Sequence, residues 1–398
     1  MIYLEVEPLI EVSDSAVNSV AMPKTVLVDF EGALDSYTGV PICTKNDVVA
    51  LNNAGFKTIL WFSSSNPDSV GRINKWLSDE VRLIDKSNVI LLDSRPRNLY
   101  LWILQLLRFP LRVPKVDFFY CVLFPGVRLR SKAQRIIRVH DPYSQSKNRL
   151  GSFIESPARV RLRIAKILRM DAFLSVFSKS ILVANSKWTV RRLLSAHGVP
   201  EEKFSVIYNL LQFDEKQGQL VTPPKPYFIF IGGQRQRKDP ISIIEVWASS
   251  QVSQQVDLII VGDVPIERLS MKARKMLQLS NLRIVKNLSS SELKTLIVNS
   301  VGTIFMSYGE GWGLPVAESL ACGRRVICND LEVFREVAEN WAYYFPTHSP
   351  MQAVPLMERL LLEKIDDVET RSEILNFSRR YSVSKISGAW REVLLNQK

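Results

Sequence analysis

The segment Ser307–Asp330 decides the fold, and its sequence is SYGEGWGLPVAESLACGRRVICND. It predicts a helix over Pro315–Cys322, because proline suits the first turn of a helix and Gly323 is placed to end it. Apolar runs on either side predict strands at Gly302–Met306 and Val326–Cys328. A strand, a glycine turn and a helix start in this order direct free backbone N–H groups and the positive end of the helix dipole to one point. The segment therefore predicts an α/β unit with a site for an anion.

Two carboxylates stand in this segment with seven residues between them, Glu310 in the glycine turn and Glu318 inside the predicted helix. The turn alone is weak support for a function, because such units are common and an isolated glutamate on a helix is usually a solvated surface residue. Carboxylates beside an anion site nevertheless suit a ligand that carries both phosphates and hydroxyls. A nucleotide sugar has both.

The whole segment resembles the Glu-x7-Glu signature of the retaining glycosyltransferases of family 4, which have the GT-B fold. Every fixed element of that signature is present except the late proline, whose place is taken by Arg325. The resemblance implies that Glu318 binds the ribose hydroxyls of a nucleotide and that Glu310 holds the hydroxyls of the sugar. The backbone N–H groups expected to assist them belong to Trp312, Gly313 and Leu314.

The composition is that of a globular protein with more than one domain. A length of 398 residues fits two domains, and 46% hydrophobic with 23% charged residues is ordinary for such a chain. No apolar run is long enough to span a bilayer, and the acidic start of the chain argues against a secretory signal. Three histidines exclude a His-rich metal centre, and the four cysteines lack metal-finger spacing. Cys322 and Cys328 are predicted to be buried thiols.

The first half alternates apolar strands with helices, which predicts a parallel sheet covered on both faces. The predicted strands are Thr25–Phe30, Thr58–Phe62, Val89–Leu92, Ile136–Val139 and Ile181–Ala184. The predicted helices are Asn46–Ala54, Val160–Phe177 and Thr189–His197. Met1–Val12 also has a strand-like pattern, although Thr25–Phe30 is the better match to the first strand of such a fold.

A second strand–helix series follows a Pro-rich linker at Gly218–Pro226. Its predicted elements are strand Tyr227–Ile231, helix Ile241–Ser249, strand Asp257–Val261, helix Ser289–Asn299 and strand Gly302–Met306. We therefore expect two facing Rossmann-like, doubly wound α/β domains, residues 1–217 and 218–377, with a ligand cleft between them. Ser378–Leu395 is predicted to be helical, and residues 378–398 are expected to pack back on the first domain, as the family's C-terminal helix does.

A second motif, GGQRQRKD at residues 232–239, follows the first strand of the second domain. Glycine at a strand end, here Gly233, lets the backbone approach a phosphate, and Arg237 and Lys238 are placed to neutralise a diphosphate. The string resembles the family's Gly-Gly-x-x-x-Arg-Lys-Asn variant, with Asp239 in place of asparagine. A solvated basic turn is the alternative, and Arg235 competes with Arg237 for the phosphate.

Three further positions are expected to border the cleft. His140 follows the strand Ile136–Val139 and resembles the family histidine beside the donor sugar, although a lone histidine is more often structural. Gly39 resembles the glycine-containing first loop of the family, and Gly262 fits a strand end that borders the nucleotide.

The net charge of +12 is concentrated in one stretch, since seventeen basic and three acidic residues between Arg95 and Met170 give +14 there. Apolar and aromatic residues are interleaved with these charges: Trp102, Leu104, Leu107, Phe109, Phe118, Phe119, Tyr120 and Phe124. The mixture favours a surface that docks on anionic lipid. Nucleic acid is the competing partner and is disfavoured because no nucleic-acid motif accompanies the charge. An idle basic face is the third possibility.

The resemblance implies a retaining glycosyltransferase that moves a sugar from a UDP- or GDP-linked donor to a saccharide acceptor. No cofactor and no metal are expected, because no Asp-x-Asp motif stands at a strand end. The basic stretch favours a polyprenyl-diphosphate-linked acceptor, hence a cytoplasmic protein held on the inner face of the cell membrane in surface polysaccharide biosynthesis. Three alternatives stay open: a non-catalytic nucleotide-sugar-binding partner, a GT-B epimerase or phosphorylase, and a nucleic-acid-binding protein.

Overall fold

The computed structural model describes residues 23–30, 33, 39–62, 69–80, 84–93, 113–122, 132–140, 180–197, 201–212, 223–233, 237–363 and 368–396. Four predictions lie wholly or mostly outside these residues: the strand-like Met1–Val12, the helix Val160–Phe177, the linker Gly218–Pro226 and the choice between Arg235 and Arg237.

The first unit is built on a parallel sheet with strand order β3-β2-β1-β4-β5-β6-β7. Its strands are β1 (Thr25–Asp29), β2 (Lys57–Phe62), β3 (Val89–Asp93), β4 (Phe118–Val122), β5 (Gln134–Val139), β6 (Ile181–Ala184) and β7 (Phe204–Val206). Val26 and Val28 belong to one buried cluster and Leu27 to another, so both faces of the sheet are covered. The five predicted strands are confirmed within two residues, whereas β4 and β7 were not predicted.

The prediction that Phe118, Phe119 and Tyr120 dip into a membrane is wrong. These residues form β4 at the centre of the sheet, and each side chain is at most 4% exposed. Arg138, counted in the basic surface, is fully buried in β5. The error arose because basic residues flank a short apolar strand on both sides, which makes a buried strand resemble an amphipathic surface. The other residues named for membrane contact, Trp102, Leu104, Leu107, Phe109 and Phe124, lie outside the described part of the chain.

The described helices of the first unit are α1 (Gly39–Asn53), α2 (Ser69–Lys75) and α3 (Lys187–His197). One π-helical turn follows α2 at Trp76–Glu80, and 3-10 turns lie at Lys86–Asn88 and Glu201–Lys203. The helix predicted at Asn46–Ala54 begins seven residues earlier, because Pro41 falls in the first turn, where its missing N–H leaves no hydrogen bond unmade.

The second unit has its own parallel sheet, with strand order β10-β9-β8-β11-β12-β13. Its strands are β8 (Tyr227–Ile231), β9 (Asp257–Val261), β10 (Leu282–Val285), β11 (Gly302–Phe305), β12 (Val326–Asn329) and β13 (Ala342–Phe345). Every residue of β8 is buried, as expected for a central strand covered on both faces.

Eight helices surround this sheet in the described residues of the second unit. They are α4 (Pro240–Ser249), α5 (Val252–Gln255), α6 (Met271–Gln278), α7 (Ser290–Val298), α8 (Leu314–Ala321), α9 (Glu332–Ala338), α10 (Ala353–Leu362) and α11 (Val368–Ser378). The helix and strand predictions for this unit are confirmed within one residue. Cys322 and Cys328 are buried and unpaired, as predicted.

The helix predicted over Ser378–Leu395 is in fact interrupted. A 3-10 turn at Arg379–Tyr381 follows α11, and α12 (Val383–Leu395) begins only after Ser382, whose extended backbone (φ −70°, ψ 161°) cannot continue a helix. α12 lies on the first unit, where Ile386, Trp390 and Leu394 join the same buried cluster as β1 and α1.

The two segments that connect the units lie side by side. The N–H of Leu211 donates to the carbonyl of Tyr381 at 2.9 Å. None of the helices in the described ranges is both long and apolar enough to cross a bilayer.

Candidate active site

The glycine turn before α8 requires glycine at Gly313. Its φ is 92°, in the left-handed region, and a Cβ there would lie 2.7 Å from Cε1 of Phe334. Leu314 and Pro315 form the first turn of α8, directly after the loop that leaves β11. The amino end of α8 therefore lies at the carboxyl edge of the second sheet, where the positive end of its dipole favours an anion. The N–H groups of Val316 and Ala317 already donate to the carbonyl of Gly313, so the N–H groups of the preceding turn are the ones that can meet a ligand.

Glu310 is held in place by the loop that carries it. The Oγ of Ser307 donates to Oε1 of Glu310 at 3.2 Å, and the Glu310 side chain is buried. Ser307 is itself fixed by Asn329, whose side chain bonds both the N–H and the carbonyl of Ser307 at 2.9 Å. Sequence reasoning missed Ser307 and Asn329, which fix the position of the carboxylate before any ligand binds.

The second motif lies directly against this loop. The N–H of Tyr308 donates to the carbonyl of Arg237 at 2.7 Å, and the N–H of Asp239 donates to the carbonyl of Met306 at 3.2 Å. Lys238 and Ser307 form an antiparallel bridge between these two contacts. The hydroxyl of Tyr308 also donates to Oδ2 of Asp239 at 2.9 Å. Two motifs that are far apart in the sequence are therefore held together by backbone hydrogen bonds at one site.

The glycines at the ends of β8 and β9 pack backbone to backbone. A Cβ on Gly262 would lie 2.3 Å from the nitrogen of Gly233, and Gly262 has φ of 139°. A Cβ on Gly233 would lie 2.6 Å from the nitrogen of Asp263. Larger residues would push the two strand ends apart, so glycine is needed for the close approach.

Lys238 lies close enough to Glu318 for its charge to affect the pKa of that carboxyl. Burial raises the pKa of the Glu318 carboxyl to about 7, while the nearby charges of Lys238 and then Lys294 oppose this rise. The Lys238 side chain lies over Gly232, where an added Cβ would come within 2.6 Å of Nζ. Its Nζ is also 5.1 Å from the centroid of the Phe305 ring. The site therefore contains a cation and a carboxyl group that stays partly protonated near neutral pH.

Gly39, in the first unit, faces the second unit. A Cβ on Gly39 would lie 3.5 Å from Cδ1 of Leu314, so the amino ends of α1 and α8 are close neighbours. The structure thus brings the predicted first-unit loop position to the predicted donor site.

His140 is buried at the end of β5, and the side chain of Asn209 lies close to its imidazole. Its Nε2 is 4.0 Å from Oδ2 of Asp47. Burial, and then the charge of Arg138, hold the pKa of His140 well below its usual value of 6.5. The imidazole is therefore neutral at physiological pH and available as a hydrogen-bonding group.

A buried ion pair beside His140 was missed by sequence reasoning. Nε of Arg138 donates to Oδ2 of Asp47 at 3.0 Å, and the Tyr120 hydroxyl donates to the same oxygen at 2.7 Å. Nε1 of Trp390, on α12, lies 3.3 Å from Oδ1 of Asp47. Burial raises the pKa of Asp47, and Arg138 and these donors counteract the rise. An arginine inside a predicted buried strand was the signal, since a buried charge needs a buried partner.

Trp312 is placed differently from a ligand-stacking residue. Its ring is buried and packs edge to face on Tyr381, with centroids 5.0 Å apart. The backbone of Trp312 belongs to the glycine turn, whereas its side chain is part of the hydrophobic core. Within the described ranges, no three His, Cys, Asp or Glu side chains are grouped as a metal site requires.

The second unit matches a known protein family. Residues 212–380 match the family described as glycosyl transferases group 1. The matched region holds the Arg237–Lys238 motif, Glu310 and Glu318, which are the residues of the site in the second unit.

Two kinds of curated relatives are bacterial mannosyltransferases. The serotype-specific mannosyltransferase WbdA of Escherichia coli is 31% identical over 159 residues, which are 38% of this chain and 19% of WbdA. The O-antigen chain mannosyltransferase RfbU of Salmonella typhimurium is 30% identical over 174 residues, 41% of this chain and 46% of RfbU. The chain therefore spans less than half the length of the curated relatives it matches.

Solved structures share the whole fold. HepE of Anabaena, crystallised with UDP and glucose, aligns over 94% of this chain and 100% of its own with a TM-score of 0.64 and 14% identity. WaaG, a glycosyltransferase involved in lipopolysaccharide biosynthesis, aligns over 94% of this chain and 100% of its own with a TM-score of 0.56 and 12% identity. At these identities the likeness concerns the fold, which is GT-B, as predicted.

Proposed function

We propose that this protein is a retaining glycosyltransferase that moves a sugar from a nucleotide-sugar donor to a saccharide acceptor. One observation supports it above all: the Arg237–Asp239 segment pairs with the Glu310 loop, beside Glu318 and the amino end of α8. Cations, carboxylates and free amides are thereby grouped at the carboxyl edge of one sheet, where doubly wound folds bind ligands. The match of this segment to group 1 glycosyl transferases supports the same reading.

The donor is held from its two ends. Glu318 accepts hydrogen bonds from the ribose hydroxyls, and Glu310 accepts them from the sugar. The amides of Trp312, Gly313 and Leu314 complete the sugar site at the start of α8. Because Ser307 and Asn329 fix the Glu310 loop in advance, little ordering is needed when the donor binds.

Catalysis rests on stabilising the leaving group. Arg237 and Lys238 neutralise the charge that develops on the departing diphosphate, which is the electrostatic contribution that usually dominates such transfers. Gly233 and Gly262 let the phosphates approach the backbone. These two cations do the work of a divalent ion, so transfer proceeds without metal.

Retention follows from attack on the face that the diphosphate leaves. The acceptor oxygen bonds to the anomeric carbon as the carbon–oxygen bond to the diphosphate breaks, and a diphosphate oxygen takes the acceptor proton. Glu310 is not a nucleophile in this scheme. Neutral His140 donates or accepts a hydrogen bond to the donor sugar from the first unit, while Gly39 leaves room for it.

The donor is a mannose-like sugar linked to GDP or UDP. The mannosyltransferase relatives WbdA and RfbU support mannose, and the HepE complex shows that the fold accommodates UDP. The acceptor is a saccharide on polyprenyl diphosphate in surface polysaccharide assembly, reached by a cytoplasmic protein on the membrane's inner face. The supporting observation is the basic character of residues 95–170, the buried Arg138 excepted.

The test is a donor screen in the presence of EDTA. Thermal shift and slow hydrolysis are measured with GDP-mannose, other GDP sugars and UDP sugars, using Glu318→Ala as the control for the donor site. We expect one donor to raise the Tm and to be hydrolysed by the wild type only. The anomeric configuration of the product on a saccharide acceptor, measured by NMR, tests retention.

Three outcomes would contradict the proposal. Failure of all donors, UDP and GDP to bind would remove the donor site. Binding without hydrolysis or transfer would indicate a non-catalytic partner. Turnover of a sugar phosphate without nucleotide would indicate an epimerase or phosphorylase.

A further inference from the structure

The first turn of α3, in the first unit, contacts the Glu310 loop of the second unit. The Oγ of Ser186 donates to the carbonyl of Gly311 at 2.8 Å. The Oγ1 of Thr189 lies 3.1 Å from the same carbonyl oxygen. Both hydroxyl-bearing side chains are fully buried. Since Gly311 follows Glu310 directly, groups of the first unit fix the peptide next to the proposed sugar-binding carboxylate.

A carboxylate of the second unit caps the same helix. Oε1 of Glu336, on α9, accepts from the N–H of Lys187 at 2.7 Å, and Oε2 accepts from the N–H of Trp188 at 2.9 Å. The first amides of a helix lack partners within it and carry the positive end of its dipole. The local cap of α3 is Ser186, whose Oγ accepts from the N–H of Thr189 at 2.9 Å. Glu336 adds a partner from the other unit for the two amides that this local cap leaves unpaired.

The same turn also reaches His140. Nδ2 of Asn185 donates to the carbonyl of His140 at 2.8 Å, and Oγ1 of Thr189 lies 3.0 Å from Oδ1 of Asn185. A continuous chain of buried polar groups thus joins the backbone of His140 to that of Gly311. The proposed catalytic groups of the two units are linked through one helix start.

We propose that Ser186, Thr189 and Glu336 are positioning residues that couple the approach of the two units to the orientation of Glu310. When the units separate, Gly311 loses the hydroxyl of Ser186, and the first two amides of α3 lose the carboxylate of Glu336. When the units meet, both contacts form again, and Glu310 and His140 are brought to their positions on either side of the proposed site. The catalytic part rests on the proposed function, while the effect on the approach of the units does not.

The neighbouring ion pair provides a matched control. Nη2 of Arg191, on α3, lies 2.5 Å from Oε1 of Glu332, on α9, so this pair also joins the units. Its side chains are 49% and 60% exposed, and exposed pairs of this kind contribute little. Glu332→Gln should leave both shape and turnover unchanged.

The first experiment measures the shape of the ligand-free protein by small-angle X-ray scattering. We expect Glu336→Ala to increase the radius of gyration or the spread of conformers relative to wild type and Glu332→Gln, with Glu336→Gln intermediate. Circular dichroism of each variant checks that the secondary structure is intact. Identical scattering from Glu336→Ala and wild type would overturn the coupling, whether or not the protein is a transferase.

The second experiment uses turnover with the donor found in the screen. Ser186→Ala combined with Thr189→Val should lower kcat about tenfold or more, with a smaller change in donor KM. Thr189→Ser, which keeps the hydroxyl, should restore most of the rate. A merely structural role would lower the Tm and leave the kcat of the folded fraction unchanged, and that result would overturn the proposal.

Discussion

Glu318 is the residue whose chemistry depends most directly on the fold. It stands on a helix in the middle of the site, and burial raises the pKa of its carboxyl from 4.5 to about 7. The ligand-free protein therefore holds a proton there more firmly than the unfolded chain does. As the pH rises from 4.5 to about 7, the carboxyl ionises more readily in the unfolded chain than in the folded protein, so the free energy of unfolding falls. Above about pH 7 this loss of stability is complete.

We expect Glu318→Gln to stabilise the ligand-free protein at pH 8.5 and to have little effect at pH 5. The wild type loses the stability contributed by the protonated carboxyl as the pH rises through about 7, whereas the variant does not. The difference in free energy of unfolding between the variant and the wild type should therefore grow by about 1–3 kcal/mol between pH 5 and pH 8.5. Thermal or urea unfolding at several pH values measures it. The same variant should lose affinity for the nucleotide, because it lacks the carboxylate that we propose accepts the ribose hydroxyls.

Glu358→Gln is the control, since Glu358 is an exposed glutamate on α10. It should show the same small effect at every pH. An equal pH trend in both variants would mean that Glu318 is not buried enough to matter.

Single residues could be predicted from the sequence where the backbone tolerates only one residue type. Gly313 and Gly262 have positive φ, so glycine is strongly favoured at both positions. The neighbouring sequence predicts a helix start after Gly313 and a strand end before Gly262. Asp47 and Arg138 could not be paired in advance, because they are 91 positions apart and only the packing of α1 on the sheet brings them together.

At the scale of elements, the side chain of Asp239 connects the loop after β8 to the loop after β11. Its Oδ1 caps α4 by accepting from the N–H of Ser242 at 3.0 Å, and its Oδ2 accepts from the hydroxyl of Tyr308. One carboxylate thus holds a helix start and both loops of the proposed site.

We expect Asp239→Ala to cost about 1 kcal/mol of stability through the lost helix cap. Because Lys238 and Tyr308 lose their anchor as well, transfer should fall about tenfold or more. Asp239→Asn keeps a cap acceptor and should retain more activity. Stability is measured by urea unfolding and transfer by initial rates.

Ser270→Ala is the matched variant. Its Oγ caps α6 by accepting from the N–H of Ala273 at 3.2 Å, away from the paired loops. It should lose similar stability and keep full transfer. Equal losses of transfer in both variants would show that the stability lost with a helix cap, and not the loop contact, explains the effect of Asp239→Ala.

Elements of the second unit were predictable because their signals are local. β8 is a continuous apolar run of strand length, β9 is apolar after Asp257, and α8 has glycine on both sides of it. β4 escaped because its apolar residues lie within a basic stretch, and the break at Ser382 escaped because serine permits both helix and extended backbone.

At the scale of the whole molecule, the buried network around Asp47 ties three parts of the chain. Arg138 donates to Asp47 on α1 and to the carbonyl of Ile207, which leads toward the second unit, at 2.6 Å. Trp390 brings α12 to the same carboxylate. The fold of the first unit and the path between the units therefore depend on one ion pair.

We expect Asp47→Asn to destabilise the protein by about 3–5 kcal/mol, because Arg138 is left as an unpaired buried charge. Adding Arg138→Met should recover much of the loss. Trp390→Phe, which keeps an aromatic ring and removes only the Nε1 hydrogen bond, should cost about 1 kcal/mol. Urea unfolding followed by tryptophan fluorescence and circular dichroism measures all three, and an equal loss in the single and double variants would contradict the pairing.

The two-unit architecture followed from the alternation of strands and helices, and GT-B followed from the motif resemblance. The way in which the units meet did not. Glu336 and Gly311 have no sequence pattern that predicts a contact between units, because one contributes a helix carboxylate and the other a backbone carbonyl, and the partner of each is distant in sequence.

The placement of α12 has a consequence for how the protein is made. Ile386, Trp390 and Leu394 complete the hydrophobic core of the first unit, yet the ribosome adds them only after the entire second unit. At synthesis rates of about 5–20 residues per second, the chain from Ile207 to Leu394 takes about 10–40 s to emerge. Throughout that time the apolar face of α1 has no covering helix, and a nascent first unit is a substrate for chaperones rather than a finished domain.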